Sequence, residues 1–237
     1  RDLHSFPTRR SSDLEPDDAE PRDKDTARIP GQRDPERTKR AILEAASAEF
    51  VGKGFAGASV NEIATRANVN KRMLYHYFGK KDQLYVAVLE RIYASLRGAQ
   101  AQLNLTDLHP VEAIERLILF TWDYYLQHPE FLSIMVRENM LEGEFVVRSE
   151  RIRDMNAPLM DTLADILKRG EEEGVFRRGV DPMQLYLTIA SLGCFFVATR
   201  FTLSNLLGRD MAGPAGLQAR VSHIVDVVLG YLRPEKA

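Results

Sequence analysis

Two cations and three polar rings fall within seven residues of this chain: Lys71, Arg72, Tyr75, His76 and Tyr77. Carried on one short helix, they set charged donors beside hydroxyl and imidazole groups whose rings can also pack on sugar or on a thymine methyl. Interleaved basic and aromatic groups suit a phosphate backbone and the base edges it frames. The chemistry indicated is recognition, not bond breaking. Over all 237 residues, 32 Lys and Arg meet 34 Asp and Glu, a formal net charge of −2 that argues against nucleic acid. Residues 37–81, however, hold nine basic and three acidic side chains, a local +6, whereas 82–237 hold 16 and 21, a local −5. Only a local basic face is needed to hold phosphates.

Other chemistries find little support. Gly52-Lys-Gly54-Phe-Ala-Gly57 has the spacing of a dinucleotide fingerprint, but it follows a helical stripe rather than a strand, and a helix stop needs just such glycines. The five histidines are scattered and Cys194 is a lone cysteine, so no metal and no cofactor is expected. No Gly-x-Ser-x-Gly elbow is present, and Glu171-Glu172-Glu173 reads as a solvated charge run. One cysteine in a chain of this size fits a reducing compartment, here the cytoplasm. The longest uncharged run, Pro182–Thr199, contains Gln184, Thr188 and Ser191 and reads as a buried helix, so no membrane partner is expected.

The elements that must position these residues are all helical, because apolar residues recur at three- and four-residue spacing. Leu43, Ala46 and Phe50 form a first stripe, stopped by Gly52 and Gly54. Ser59 is a natural N-cap with Glu62 as its capping-box partner, and Val60, Ile63, Ala64 and Ala67 make the next stripe. Asn70 can cap a third helix ending near Phe78. Between these two helices, Ala67-Asn68-Val69 is a tight turn, with Asn68 able to adopt the left-handed conformation. This is a helix-turn-helix over about 58–78, whose second helix would enter the major groove. A longer helix runs from Lys81 to about Ala99. Further helices open at Pro110, Pro129, Pro182 and Pro214, prolines suited to a first turn. One more covers Val146 to Gly170, kinked or interrupted near Pro158.

The stretch Arg37–Leu89 resembles the DNA-binding domain of the tetracycline-repressor (TetR) family of transcriptional regulators. The matching residues are Ile42-Leu43-Glu-Ala-Ala46 with Phe50, Gly54-Phe55, Ser59-Val60-Asn-Glu-Ile63-Ala64, Ala67-Asn-Val69, Leu74-Tyr75-His-Tyr77-Phe78 and Lys80-Lys81-Asp82-Gln-Leu84. Asn68 stands where the family usually has Gly, and Met73 where a smaller residue is frequent. The resemblance implies that Lys71, Arg72 and Met73 face bases, that Tyr75, Tyr77 and Lys81 grip phosphate, and that Ser59 and Asn61 approach the backbone or an edge base. His76 joins this set by its place on the helix.

The implied architecture is all-α: an N-terminal three-helix DNA-binding domain over residues 33–82, followed by a larger helical bundle over 83–237 for ligand binding and dimerisation. Residues 1–32 are expected to be a disordered tail, and His4–Leu14 reads as the translation of a sequencing-adapter oligonucleotide rather than native sequence. Aromatic and thioether side chains nominate a pocket for a small-molecule effector: Trp122, Tyr125, Phe131, Met135 and Met155, with Phe196 and the polar Asn139. The last two helices are apolar on more than one face. Leu185, Ile189, Leu192, Gly193 and Phe195 on the first, with Val221, Ile224, Val225 and Val228 on the second, are the expected contacts of a homodimer. A dimer would read a palindromic operator of double-stranded DNA and be released by the effector. Two alternatives stay open: an activator or architectural DNA binder without ligand release, and a helical enzyme acting on small molecules.

Overall fold

The computed structural model describes residues 34–234, so the expected tail over 1–32 lies outside the described residues. These residues are helical, with no strand among them. In chain order the helices are α1 (Pro35–Gly57), α2 (Val60–Arg66), α3 (Lys71–Phe78), α4 (Lys81–Ala101), α5 (Pro110–Gln127), α6 (Pro129–Met140), α7 (Glu150–Asp154), α8 (Ala157–Glu172), α9 (Pro182–Leu207) and α10 (Pro214–Leu232). Short 3-10 turns precede α5 and α7 at Leu105–Asp107 and Val146–Arg148.

Local chemistry sets most of these boundaries. Pro110, Pro129, Pro182 and Pro214 each open a helix, where the missing N–H costs nothing. α1 runs through Gly52 and breaks at Gly54, whose φ of 71° and ψ of 177° belong to glycine alone. Of the kink or interruption expected near Pro158 in Val146–Gly170, the structure has the interruption: a 3-10 turn and α7 precede it and α8 follows. Pro158 is the reason: it cannot supply an interior N–H, and it is accommodated in the first turn of a new helix rather than in the middle of an old one.

In the head, Ile42, Ala46 and Phe50 of α1 meet Ile63 of α2, Leu74 of α3 and Leu84, Tyr85 and Leu89 of α4, all with essentially no solvent exposure. Phe50 and Tyr85 make an edge-on ring contact at 4.9 Å. The body is built around α5, which packs against α8, α9 and α10 through Ile114, Leu117, Ile118 and Trp122. Pro35–Pro234 belong to one compact unit. The division expected at residues 82 and 83 falls in the first turn of α4, a helix common to head and body. α6 ties the two together as well: Ser133 Oγ donates to the Val51 carbonyl at 3.3 Å, and Arg137 to the Gly52 carbonyl at 3.1 Å.

α9 is long and apolar enough to meet the length and composition of a membrane span, yet it is one wall of this bundle. Its two-sided apolar character corrects the expected dimer contacts. Leu185, Ile189 and Gly193 of α9, and Val221, Ile224 and Val228 of α10, are buried within the chain's own core and are not available to a partner. The inward face was indistinguishable from the outward one by composition. Gly193 admits the Tyr125 ring, whose carbon would lie 3.4 Å from an added Cβ, so its small size serves an intrachain contact. Leu192 and Val225 are half-buried, and Phe195 is 61% exposed. The outward apolar set is Met183, Leu187, Phe195, Phe201, Leu206 and Leu207 on α9, with Val227 and Tyr231 on α10.

Candidate functional site

The second helix of the helix-turn-helix, α3, is only eight residues long and has little intrinsic stability at that length, so its caps and its one buried side chain determine whether it forms. Asn70 Oδ1 accepts the Met73 N–H at 2.8 Å, and Leu74 is completely buried. Ahead of it, Ser59 caps α2 by accepting the Glu62 N–H at 3.4 Å, and Asn68 has φ of 52°, the left-handed turn residue between the helices. Lys71 and Arg72 then stand exposed in the first turn of α3, which carries no acidic residue. Among the described residues neither makes an ion pair with a carboxylate. Lys71 Nζ lies 5.8 Å over the Tyr75 ring, which is itself 42% exposed. His76 is exposed with its ring 5.3 Å from that of the half-buried Tyr77, over which Lys39 Nζ sits at 6.0 Å. Asn61 is exposed and Met73 half-buried.

Lys81 is half-buried at the start of α4. Its ammonium donates to the Ala56 carbonyl at 3.3 Å and sits 5.0 Å over the Phe55 ring, so it braces the corner after α1. Lys80, one residue earlier, is exposed.

A buried carboxylate holds the entry to the helix-turn-helix. Glu49 is 2% exposed; its Oε1 accepts from Lys53 Nζ at 2.7 Å and from the Ser59 N–H at 3.2 Å. The Lys53 hydrogen bond holds the Glu49 carboxyl below its usual value of 4.5, against burial, with the Ser59 N–H adding to the effect. Because the folded-state value is depressed, Glu49 contributes stability that is full above pH 4.5 and is lost as pH falls through the lower folded value. Glu49→Gln is therefore expected to melt below the unsubstituted protein at pH 7, by a gap that shrinks as pH drops from 5 towards 3. Thermal melts across that range check this, and a gap independent of pH would remove the ionic part of the role.

In the body, a cavity of about 500 Å³ opens between the second half of α4, the 3-10 turn after it and the start of α8. It is bounded by Ala94, Gly98 and Ala101 on α4, Leu105, Met155 and Leu159 around them, and the polar Arg97, Gln100, Asn104, Thr106 and Thr162. That volume lies within the range of small-molecule sites. Of the seven expected pocket residues, Met155 lines this cavity and the others do not. Trp122 and Phe196 fill the core against each other at 5.6 Å, and Tyr125 and Phe131 stack at 5.8 Å. Met135 is packed on the core, and Asn139 is exposed with its amide donating to the Met135 carbonyl of its own helix at 2.9 Å. Large rings at helical spacing close the gaps between helices rather than leaving them open.

Residues 42–88 match the family model described as "Bacterial regulatory proteins, tetR family", and residues 110–228 match "Tetracyclin repressor-like, C-terminal domain". The HTH-type transcriptional repressor NicS of Pseudomonas putida is 38% identical over 198 residues, 84% of this chain and 93% of that protein. The chain belongs to the TetR family. The HTH-type transcriptional repressor SCO4008 of Streptomyces coelicolor is 33% identical over 189 residues, 78% of this chain and 92% of that one. The fold is also that of the ketosteroid transcriptional regulator KstR2 of Mycobacterium tuberculosis, with a TM-score of 0.60 at 24% identity, covering 88% of this chain and all of the other.

As a TetR-family protein, the chain is a DNA-binding transcriptional regulator with an effector-binding body, and the family is one of regulators, not of enzymes. In this TetR-family body the residues missed by sequence reasoning are those of the α4 wall. Their signal was present as the small residues Ala94, Gly98 and Ala101, spaced four and three apart on one helix face, with Arg97 and Gln100 beside them. Small side chains facing a neighbouring helix leave room, and polar ones at the rim give that room direction.

Proposed function

We propose that this TetR-family protein is a homodimeric, cytoplasmic repressor that grips a palindromic operator and releases it when a small molecule enters the cavity beside α4. The observation carrying the DNA reading is the first turn of α3, where two exposed cations without acidic partners project from a capped helix. On a major-groove helix, Arg72 or Lys71 donates to the O6 and N7 acceptors of guanine, while Tyr75, Tyr77 and His76 reach phosphate and sugar. Ser59 and Asn61 approach the backbone from the start of α2.

Two copies join through the outward face of α9 and α10, which leaves Leu187, Phe195, Phe201 and Tyr231 wet in a single chain. The half-sites then lie about one helical turn apart, or a somewhat longer fixed distance. The cavity bears on α4, and only two residues separate α4 from α3, so a displacement of α4 by a ligand moves the recognition helix directly. The names of the NicS and SCO4008 relatives favour repression over activation.

Arg72→Ala tests the reading. Binding to a selected operator and to its single-base variants is expected to show discrimination relaxed at one position per half-site, by roughly 1–3 kcal/mol. Equal weakening on every sequence would make Arg72 a phosphate contact instead.

A further inference from the structure

Arg97 stands on α4 at the rim of the cavity. Its Nε donates to Asn156 Oδ1 at 2.9 Å and a terminal nitrogen donates to the Tyr186 hydroxyl at 2.9 Å. The terminal nitrogens also bond Asn156 Oδ1 and Gln100 Oε1, and the guanidinium lies 5.4 Å over the Tyr186 ring. Every one of these partners is electrically neutral. An arginine is charged at any pH at which the protein is folded. Among the described residues no carboxylate pairs with it, whereas the half-buried Arg169, elsewhere in the body, is answered by Asp165 at 3.0 Å. Arg220 also lacks an ion pair, but its own cavity includes Asp210.

A part-buried guanidinium held only by amide and hydroxyl dipoles, beside a largely apolar hollow, is a charge whose strongest partner is missing. Its planar fork matches a carboxylate in two parallel hydrogen bonds. The rest of the polar lining is neutral, with no lysine and no second arginine, which suits one negative charge and not the two of a phosphate ester. We propose that the effector is a compact organic monocarboxylate. Its carboxylate displaces the Gln100 and Asn156 amide oxygens from Arg97, and its hydrocarbon or aromatic body lies against Gly98, Leu105, Met155 and Leu159. Asn156 is the residue from which α8 starts, so drawing Arg97 away from it unties α4 from α8.

This assignment rests on the cavity being the effector site of the proposed repressor, and its test separates the two. The full chain at pH 7 is screened by thermal melting against straight-chain monocarboxylates of four to ten carbons, benzoate and phenylacetate, each beside its primary amide; calorimetry follows for any acid that shifts the melt. The expected result is an acid that binds about 30-fold or more tightly than its amide, with binding lost in Arg97→Met and partly kept in Arg97→Lys. No acid in the set binding, equal binding of acid and amide, or undiminished binding to Arg97→Met overturns it. The acid–amide comparison uses the unsubstituted protein, so the inference is decided even if Arg97→Met fails to fold. Operator affinity is measured in the same series. Acid binding that leaves it unchanged upholds the anion site and sinks ligand release, while release by acid and amide alike upholds release and sinks the carboxylate assignment.

Discussion

Phe195→Glu combined with Phe201→Glu is expected to give a folded monomer that holds operator DNA about 10²–10⁴-fold more weakly than the unsubstituted protein. Both rings are more than half exposed, at 61% and 63%, so replacing them removes nothing from the core and the fold should survive. At the proposed interface between two copies, the same changes set carboxylates against an apolar face, and a buried unpaired charge is the contact an interface tolerates least. DNA affinity falls because a dimer binds its second half-site as an intramolecular event, and a monomer loses that gain without losing any contact of its own α3. Sedimentation gives the oligomeric state and fluorescence anisotropy the affinity. A double variant that still sediments as a dimer would move the interface off this face.

The second large effect is on the recognition helix itself. Leu74→Ala should lower the unfolding free energy by about 2–5 kcal/mol, because Leu74 is fully enclosed and the deletion leaves a cavity between α3, α2 and α4. It is the one buried residue of α3, and two turns of helix do not persist without tertiary support. Operator binding should therefore fall further than global stability alone requires, as α3 frays from its bed. Denaturant unfolding followed by circular dichroism, set beside binding at the same temperature, checks both. A loss under 1 kcal/mol would mean that α3 is held by its caps and not by its core contact.

What was legible in the sequence was what is local. The Ser59 and Asn70 caps, the left-handed Asn68 and the proline starts of four helices are each decided within a few residues, and all stand in the structure. The basic first turn of α3 was visible for the same reason. What was not legible depends on which neighbour a helix meets. α9 is apolar nearly all round, so periodicity could not say that Leu185 and Ile189 point inward while Leu187 and Phe195 point out. Aromatic residues drew attention to Trp122 and Phe131 as a pocket, but large rings are what seals a helical interface, and the space lies beside Gly98 and Ala101. The contacts of Lys81 with the Ala56 carbonyl and the Phe55 ring were not legible either, because they exist only where the chain turns back after α1.

The central claim, that α3 reads double-stranded DNA as one half of a symmetric pair, is tested most directly by selecting bound sequences from a random duplex pool with the full chain. The account predicts enrichment of one inverted repeat with fixed half-site spacing, bound with a steep loss of affinity as salt rises. Recovery of a pool with no common sequence, or of a single unrepeated site bound equally well by the Phe195→Glu, Phe201→Glu variant, would contradict it.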